Sequence, residues 1–453
     1  FHIPHKEVLQ SNPNADGHFF LPVLFSLFLK YVSANVLGMI GFSCYILADT
    51  FFIARGIGSE ALAALNLVLP AYSLLNGTGL MIGMGGGSRY SLSSTHPEEE
   101  THRTVFTQSV WLAVIAAIFF ALTGLLGAEP LCLFLGADSR TLPFAVPYIR
   151  ILLAFAPLFL ANNLLVCFVR NDGEPTLSMA GMIIGSLSNI LLDYFFIYPL
   201  DLGMVGAALA TATAPLISMG ILFSHFRKGN SHFRLVRTKP SLSKASSICS
   251  LGISSLITEV SSGIVILVFN FLILDLSGNT GVAAYGVLAN IALVLIAIST
   301  GIAQGIQPIV SSHPGEKGQP IRQQIRCYAI LTTLLLALLS YVVIFLLADP
   351  IADLFNKDHN TALTSIAADG MRIYFTSLFF SGINIVAAVF LSSTDRPKQA
   401  FTLSLLRGFL LIIPTTFLLA HLFGLTGIWM SLPVTEGIVC ILSFLFQIGR
   451  AHV

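Results

Sequence analysis

The segment Gly185-Ser-Leu-Ser-Asn-Ile-Leu-Leu-Asp-Tyr-Phe-Phe-Ile-Tyr198 places a polar stripe inside an otherwise apolar helix. Ser186, Asn189 and Asp193 are three and then four residues apart, so a helix brings them to one face. A carboxylate in such a helix costs about 2.5–3.5 kcal/mol on insertion scales unless it faces protein or water. Asp193 is therefore a candidate functional residue. The alternative is a carboxylate at a helix end that extends to the membrane interface, beside the two tyrosines of the segment.

The composition is that of an integral membrane protein. Of the 453 residues, 55% are hydrophobic and only 10% are charged, whereas soluble domains have about 25% charged residues. The apolar segments are too long and too uniform for the alternating strands of a membrane barrel. The net charge of +1 gives no indication of a nucleic-acid partner. We therefore predict an all-α membrane protein.

About twelve transmembrane helices are predicted from apolar segments near or above 20 residues. They fall at roughly 24–54, 61–91, 104–127, 142–169, 176–199, 203–226, 247–275, 281–311, 323–348, 364–393, 397–420 and 424–448. If both termini and the even-numbered loops share one side, that side carries 18 of the 23 Lys and Arg residues. This asymmetry predicts cytoplasmic termini.

The chain contains an internal repeat. A basic, Ser-rich linker, predicted at 227–246, separates an N-lobe (1–226) from a C-lobe (247–453). Four short motifs recur at offsets of 220–222 residues: Ala128-Glu-Pro130 with Ala348-Asp-Pro350, Tyr148-Ile-Arg150 with Gly370-Met-Arg372, Asn171-Asp-Gly-Glu-Pro175 with Thr394-Asp-Arg-Pro397, and Gly203-Met-Val-Gly206 with Gly424-Leu-Thr-Gly427. Six helices per lobe predict two lobes related by a pseudo-two-fold axis along the membrane normal, with substrate bound between them.

Four polar residues of the N-lobe are predicted at one depth. At about 1.5 Å per helical residue, Asp49, Asn189, Asp193 and Thr211 all lie in the outer half of the membrane. Two nearby carboxylates can share a proton, and oxygen ligands also suit Na⁺, so the sequence leaves the ion open. The alternative for Asp49 is an interfacial position in which it pairs with Arg55.

Four further polar residues lie within predicted helices. Asn162 and Asn163 are candidates for a substrate cavity, although interhelical hydrogen bonding is the more common role of such residues. Glu259 and Glu436 lie near the membrane midplane, where an acid in a cavity attracts cations. The alternative is a pair of buried glutamates held by neighbouring groups.

Two glycine-rich stretches occupy the second and eighth predicted helices, at Gly77–Gly87 and Gly301–Pro308. They permit close helix contact or bending.

The sequence contains no Ser/His/Asp set, metal cluster or nucleotide motif. We therefore predict a protein that is not an enzyme and that needs no cofactor besides a coupling ion.

Six motifs occur at the ends of the predicted helices and within them: Ala48-Asp-Thr-Phe-Phe-Ile53, Ile57-Gly-Ser-Glu-Ala-Leu-Ala63, Asn171-Asp-Gly-Glu-Pro175, Asn189-Ile-Leu-Leu-Asp193, Gly206-Ala-Ala-Leu-Ala-Thr211 and Gly301-Ile-Ala-Gln-Gly-Ile-Gln-Pro308. With these motifs and the twelve-helix, two-lobe layout, the sequence resembles the multidrug and toxic compound extrusion (MATE) transporters over essentially residues 24–448. The motifs look most like those of the bacterial branch that includes the staphylococcal MepA-type pumps.

The resemblance implies export of diverse organic cations driven by inward H⁺ or Na⁺. It also implies that Asp49, Asn189 and Asp193 form a cation site, metal-binding only if Na⁺ is the coupling ion. Thr211 matches a hydroxyl ligand of that site, and Glu259 matches a family glutamate on the seventh helix. Some sodium-coupled members have an aspartate on the tenth helix, but this sequence has no acid between Tyr374 and Asn384.

The sequence therefore predicts a monomeric multidrug antiporter of the bacterial inner membrane, with organic cations and membrane lipid as its partners. The first alternative is a flippase for lipids or lipid-linked precursors, which favours a basic cavity. The predicted midplane offers acids and almost no Lys or Arg, which argues against an anionic cargo. An uncoupled channel or receptor is a further alternative.

Overall fold

Every regular element in the described part of the chain is a helix. The computed structural model describes residues 17–94, 100–227, 229, 231–355 and 360–448; both chain termini lie outside these ranges. Nine of its helices are long and apolar enough to cross a membrane, and a pair bent by 52° makes a tenth span. Two of the ten contain a non-helical glycine, Gly278 and Gly424, that divides them. The described residues therefore form the predicted twelve spans.

The spans are numbered α1 to α12 in chain order. They are α1 Gly17–Gly56, α2 Ser59–Leu92, α3 Glu100–Phe134, α4 Leu142–Ala154 with Ala156–Asn171, α5 Pro175–Ile197, α6 Gly203–Leu222, α7 and α8 on either side of Gly278 in Leu242–Ser311, α9 Gln319–Phe355, α10 Thr361–Tyr374 and Leu378–Ser393 joined by the 3-10 turn Phe375–Ser377, α11 from Pro397–Leu405 through the π-helical turn Leu406–Leu410 to Gly424, and α12 from Gly424 to the end of Ile412–Ile448.

The internal repeat extends to irregular backbone positions. Gly203 and Gly424 both have positive φ, at 54° and 58°, and each precedes the last helix of its half. Glycine is suited to this left-handed conformation because it has no Cβ. Further equivalent pairs are Gly58 with Gly278 and Gly173 with Asp395, which have positive φ, and Gly127 with Leu347, which interrupt α3 and α9. These positions recur at the offset of the sequence repeat, so the two halves share one backbone plan.

Hydrophobic packing follows the two halves. One buried cluster contains residues between 53 and 233, and a second contains residues between 269 and 429. A third joins the start of α1 to α8, α9 and α10. Side chains on the outer surfaces of the bundle are apolar and exposed, as expected for contact with lipid.

The linker packs against the first half. It is shorter than predicted, because α7 begins at Leu242. Phe233 is buried among aromatic rings of α2, α3 and α4. Gln108 of α3 donates to the carbonyl of Lys239 (2.8 Å) and accepts from the amide of Ser241 (3.0 Å). The end of the bundle that carries this linker is called the linker side below, and the opposite end the distal side.

The halves touch on the linker side. A methyl group on Gly85 of α2 would collide with the carbonyl of Ile248, and one on Gly252 of α7 with that of Met81. The same close approach recurs between α1 and α8, with Gly301 and Gly305 against the backbone of Val36 and Val32. Both glycine-rich stretches therefore provide close packing between the halves in this structure.

On the distal side, α1 and α8 diverge. A groove of about 550 Å³ separates them, lined by Leu47, Thr50, Phe51, Ala54, Asn290, Ile291, Val294 and Leu295. The molecule is thus closed between its halves on the linker side and parted on the distal side.

Candidate functional site

The polar stripe of α5 faces the protein interior. Ser186, Asn189 and Asp193 are all buried, and Asp193 has an exposed fraction of 0%. The opposite face carries exposed apolar and aromatic side chains, including Leu191 (70%) and Tyr194 (54%). Asp193 is therefore not an interfacial carboxylate, and the alternative interpretation of this segment is wrong.

Asp49 reaches the same region from α1. Its side chain is buried, and its carboxylate lies within range of electrostatic interaction with that of Asp193. Arg55 does not pair with it, because the guanidinium lies over the ring of Phe51, 5.8 Å from the ring centre. The structure thus brings the two predicted aspartates together and contradicts the interfacial alternative for Asp49.

Asn189 and Thr211 complete this group. With its Nδ2 turned toward Asp193, the Asn189 amide donates to Oδ2 at 3.1 Å, and its oxygen accepts from the backbone amide of Thr211 at 3.2 Å. Only this orientation gives both amide atoms a suitable partner. Tyr148 of α4 lies against Thr211 and close to both aspartates. The four predicted residues are therefore neighbours, and a tyrosine accompanies them.

Each of the two carboxylates has an oxygen without a hydrogen-bond donor among the described residues. Oδ1 of Asp49 and Oδ1 of Asp193 are buried and accept no hydrogen bond from any described residue. A buried ion without a partner costs several kcal/mol even after the surroundings relax. The group therefore fits a positive charge, either a proton shared between the carboxylates or a hard cation held by oxygens.

A cavity of about 100 Å³ extends from this group toward the second half. Its walls include the predicted residues Asn162, Asn163, Asn189, Thr211 and Glu259, together with Tyr45, Tyr72, Phe42, Phe159 and Gln304. The cavity thus reaches from Asn189 and Thr211, the two neighbours of the aspartates, to the glutamate of α7.

The cavity walls are partly cross-linked by polar contacts. Asn163 donates to Oδ1 of Asn76 on α2 (3.0 Å), so this residue does provide the interhelical hydrogen bond that was its alternative role. Oδ1 of Asn162 is buried without a described partner. The hydroxyls of Tyr45 and Tyr72 are 2.7 Å apart. Asn162 is therefore the asparagine that remains available to a ligand.

Comparison with known proteins shows the family to which the chain belongs. The family model described as MatE matches residues 35–195 and 253–418, which is most of the chain. The chain belongs to the MatE family.

Two curated relatives of this MatE chain are the multidrug export proteins MepA of Staphylococcus saprophyticus subsp. saprophyticus and Staphylococcus aureus. Each is 26% identical, over 94% of this chain and 92% of the relative. A solved MATE protein in complex with MaL6 has a TM-score of 0.89 at 23% identity, and an outward-facing multidrug resistance MATE family transporter has one of 0.88 at 23% identity. Each comparison covers 99% of this chain and 98% of the solved one, so the fold is shared throughout.

The fourth acid of this MatE chain, Glu436, is held in an ion pair. Arg407 donates to its Oε1 from Nη2 (2.7 Å) and Nε (3.2 Å), and Asn384 donates to its Oε2 (2.6 Å). Arg407 belongs to the π-helical turn of α11. The prediction that the midplane holds almost no Lys or Arg therefore needs correction, and the alternative of a glutamate held by its neighbours describes Glu436.

A second buried arginine of the MatE chain closes the cavity on the linker side. Arg170 ends α4 and is fully buried. Its Nη1 donates to Asn35 of α1 (2.7 Å) and to Gln304 of α8 (2.9 Å). The next residue, Asn171, exchanges two hydrogen bonds with Gln307, of 3.0 and 2.9 Å. The end of α4 therefore holds two glutamines of the opposite half.

Sequence reasoning missed Tyr148, Arg170, Gln304 and Arg407. Arg170 directly follows the predicted apolar segment 142–169, so the sequence alone places it in a loop. Arg407 offered a clearer signal, since an arginine ten residues into an apolar span requires an acidic or carbonyl partner. Tyr148 and Gln304 gave no comparable signal, because such residues often only pack within apolar helices.

Proposed function

We propose that this chain is a cation-coupled antiporter that exports organic cations in exchange for H⁺ or Na⁺. The observation that carries the proposal is the uncompensated aspartate pair, Asp49 and Asp193, buried beside an interlobe cavity. A cation entering this site removes the repulsion between the carboxylates and so favours the conformation that holds them together. A ligand shifts such an equilibrium only by its difference in affinity for the two conformations.

The donor set suits either coupling ion. Asp49 and Asp193 offer carboxylate oxygens, Asn189 its amide group and Thr211 a hydroxyl, which together can surround Na⁺. The same carboxylates can take up a proton. Among the described residues, no cluster of three or more His, Cys, Asp or Glu side chains could hold a metal ion. We assign coupling to the aspartate pair because each of its two buried carboxylates has an oxygen without a described hydrogen-bond partner.

The proposed cargo is supported by the cavity and the relatives. Glu259 provides a negative charge for an organic cation, while Tyr45, Tyr72 and Phe159 provide aromatic faces that attract cations. The similar MepA proteins are described as multidrug exporters.

We assign the linker side to the cytoplasm of a bacterial inner membrane, since it carries most of the basic residues. With this assignment the parted distal side supports an outward-open state, and we propose that the transporter is monomeric.

The flippase alternative is less compatible with the cavity. Its described lining includes Glu259 and several amides but neither Lys nor Arg. A phosphate headgroup needs basic side chains in reach. Arg170 lies behind Gln304 and is hydrogen-bonded there.

The test is transport of ethidium in proteoliposomes under an imposed pH gradient and, separately, a Na⁺ gradient. Wild type is expected to move ethidium with one gradient, and Asp193→Asn to lose that coupling. Asp275→Asn is the matched control, because Asp275 is an exposed acid outside the cavity. Unchanged coupling in Asp193→Asn contradicts the site, and no transport by folded wild-type protein contradicts the function.

A further inference from the structure

Arg170 is a buried charge without a counter-charge. Its exposed fraction is 0%, and its described partners are two amide oxygens, Met84 Sδ (2.9 Å) and Cys167 Sγ (3.6 Å). Nε has no described partner. Within the described residues no carboxylate pairs with this guanidinium, and the nearby Asp172 instead binds Tyr90, His225 and His232.

The charge lies directly beneath the cavity. Two of its contacts, Cys167 and Gln304, line the cavity themselves. A third, Asn35, precedes the lining residue Met39 by one helical turn on α1. A cation that moves from the cavity toward the linker side therefore meets the guanidinium within the closed seam between α1, α4 and α8.

We propose that Arg170 is a specificity-determining residue that repels organic cations from the closed linker-side seam and so limits their uncoupled passage. This inference rests on the proposed export of organic cations. Arginine stays protonated at every physiological pH, so the charge does not depend on pH. Because the guanidinium is fully buried in the closed seam, the repulsion is screened far less than it would be in water.

The barrier also depends on conformation. One of the two amide contacts of Arg170, Gln304, belongs to the opposite half. When the halves part on the linker side, that contact breaks and water reaches the guanidinium. Hydration then screens the charge, so cargo can enter from that side only in the conformation meant to admit it.

The two cavity ends consequently carry opposite charges. Glu259 in the lining, together with Asp49 and Asp193 beside Asn189, makes the part of the cavity nearer the distal side negative, whereas Arg170 makes its linker-side base positive. A cationic cargo is held by the first group and kept away from the seam by the second. A neutral or anionic solute does not experience this barrier, so the effect is specific for cations.

The experiment measures leakage of radiolabelled 1-methyl-4-phenylpyridinium, a monovalent aromatic cation, from proteoliposomes without any ion gradient. Arg170→Gln removes the charge. Gln304→Glu retains Arg170 and supplies a counter-charge, which strengthens the contact between the halves. We expect both variants to raise the leak by on the order of tenfold, the effect of one unit charge at roughly 10 Å in an effective dielectric near 20.

The controls separate charge from packing. Arg170→Lys keeps the charge and should leak like wild type, and so should Arg322→Gln, which removes an arginine bound to loop carbonyls away from the cavity. Asn35→Asp supplies the counter-charge from α1 should Gln304→Glu fail to fold. A leak in Gln304→Glu or Asn35→Asp no greater than wild type overturns the proposal, because a purely structural role predicts a tighter seam there. Gradient-driven transport by wild type, measured in the same vesicles, tests the proposed function separately.

Discussion

The two halves share a backbone plan but treat their buried acids in opposite ways. In the first half, Asp49 and Asp193 are buried within electrostatic range of one another and have no cationic partner among the described residues. In the second half, Glu436 is bound by Arg407 and Asn384. The two buried aspartates of the first half thus have no counter-charge among the described residues, whereas Glu436 of the second half has one. Burial alone therefore does not distinguish these acids, whereas the presence or absence of a counter-charge does.

The largest expected effect on stability is that of Glu436→Gln. It leaves Arg407 buried without a full counter-charge, and breaking a buried ion pair typically costs about 3–5 kcal/mol. Unfolding in detergent, followed by circular dichroism, measures the loss. The double variant with Arg407→Met should recover most of it. A wild-type midpoint in the single variant contradicts the contrast between the halves.

Asp193→Asn should act in the opposite direction. It removes an uncompensated charge, so we expect a more stable protein, by about 1–3 kcal/mol, with gradient-driven transport lost. The transport loss should reach at least the roughly 10–100-fold effect of changes around ion ligands. The same unfolding assay, run in parallel on Glu436→Gln, shows whether the change in unfolding free energy has the opposite sign in the two variants. Destabilisation by both variants would falsify the assignment of Asp193 as uncompensated.

Asn163→Ala probes the first half at a neutral contact. It removes the hydrogen bond to Asn76 and should cost about 0.6 kcal/mol, and at most about 1.7 kcal/mol, as interhelical hydrogen bonds in membranes do. Unfolding in detergent measures the loss of stability, and transport kinetics measure any loss of function. A loss of transport as large as that of Asp193→Asn shows that Asn163 contacts the cargo or ion.

The smallest effect is expected at the exposed pair between Glu100 and Lys244 (2.6 Å), which joins α3 to the start of α7. The hydrogen bond and charge of Lys244 hold the pKa of Glu100 below its usual value of 4.5. The pair therefore stabilises at pH values above 4.5 and loses this contribution as the pH falls through the lowered pKa. Unfolding of Lys244→Met and wild type, compared at pH 7 and at a series of pH values below 4.5, should show a slight difference that declines as Glu100 becomes protonated.

The comparison also shows what sequence could predict. The lengths of the transmembrane spans and the internal repeat could be predicted, because hydrophobicity and the positions of Pro and Gly are local properties of the sequence. The stripe of α5 was readable because helical periodicity places Asp193 beside Asn189. The pairing of Glu436 with Arg407 was not, since it joins two helices through a π-helical turn. For the same reason, the sequence could not reveal that Arg170 meets Gln304 across 134 residues.

The docked linker has a mechanical consequence. Phe233 is buried in the first half, and the amide of Ser241 is tied to Gln108. Although the connection is long in sequence, its described segment 236–241 is hydrogen-bonded to the first half, and α7 starts at the next residue. The covalent pivot between the halves is therefore the single junction at residues 241 and 242. A flexible insert placed there should decouple the two rigid bodies, whereas the same insert within the preceding loop should be absorbed by the first half.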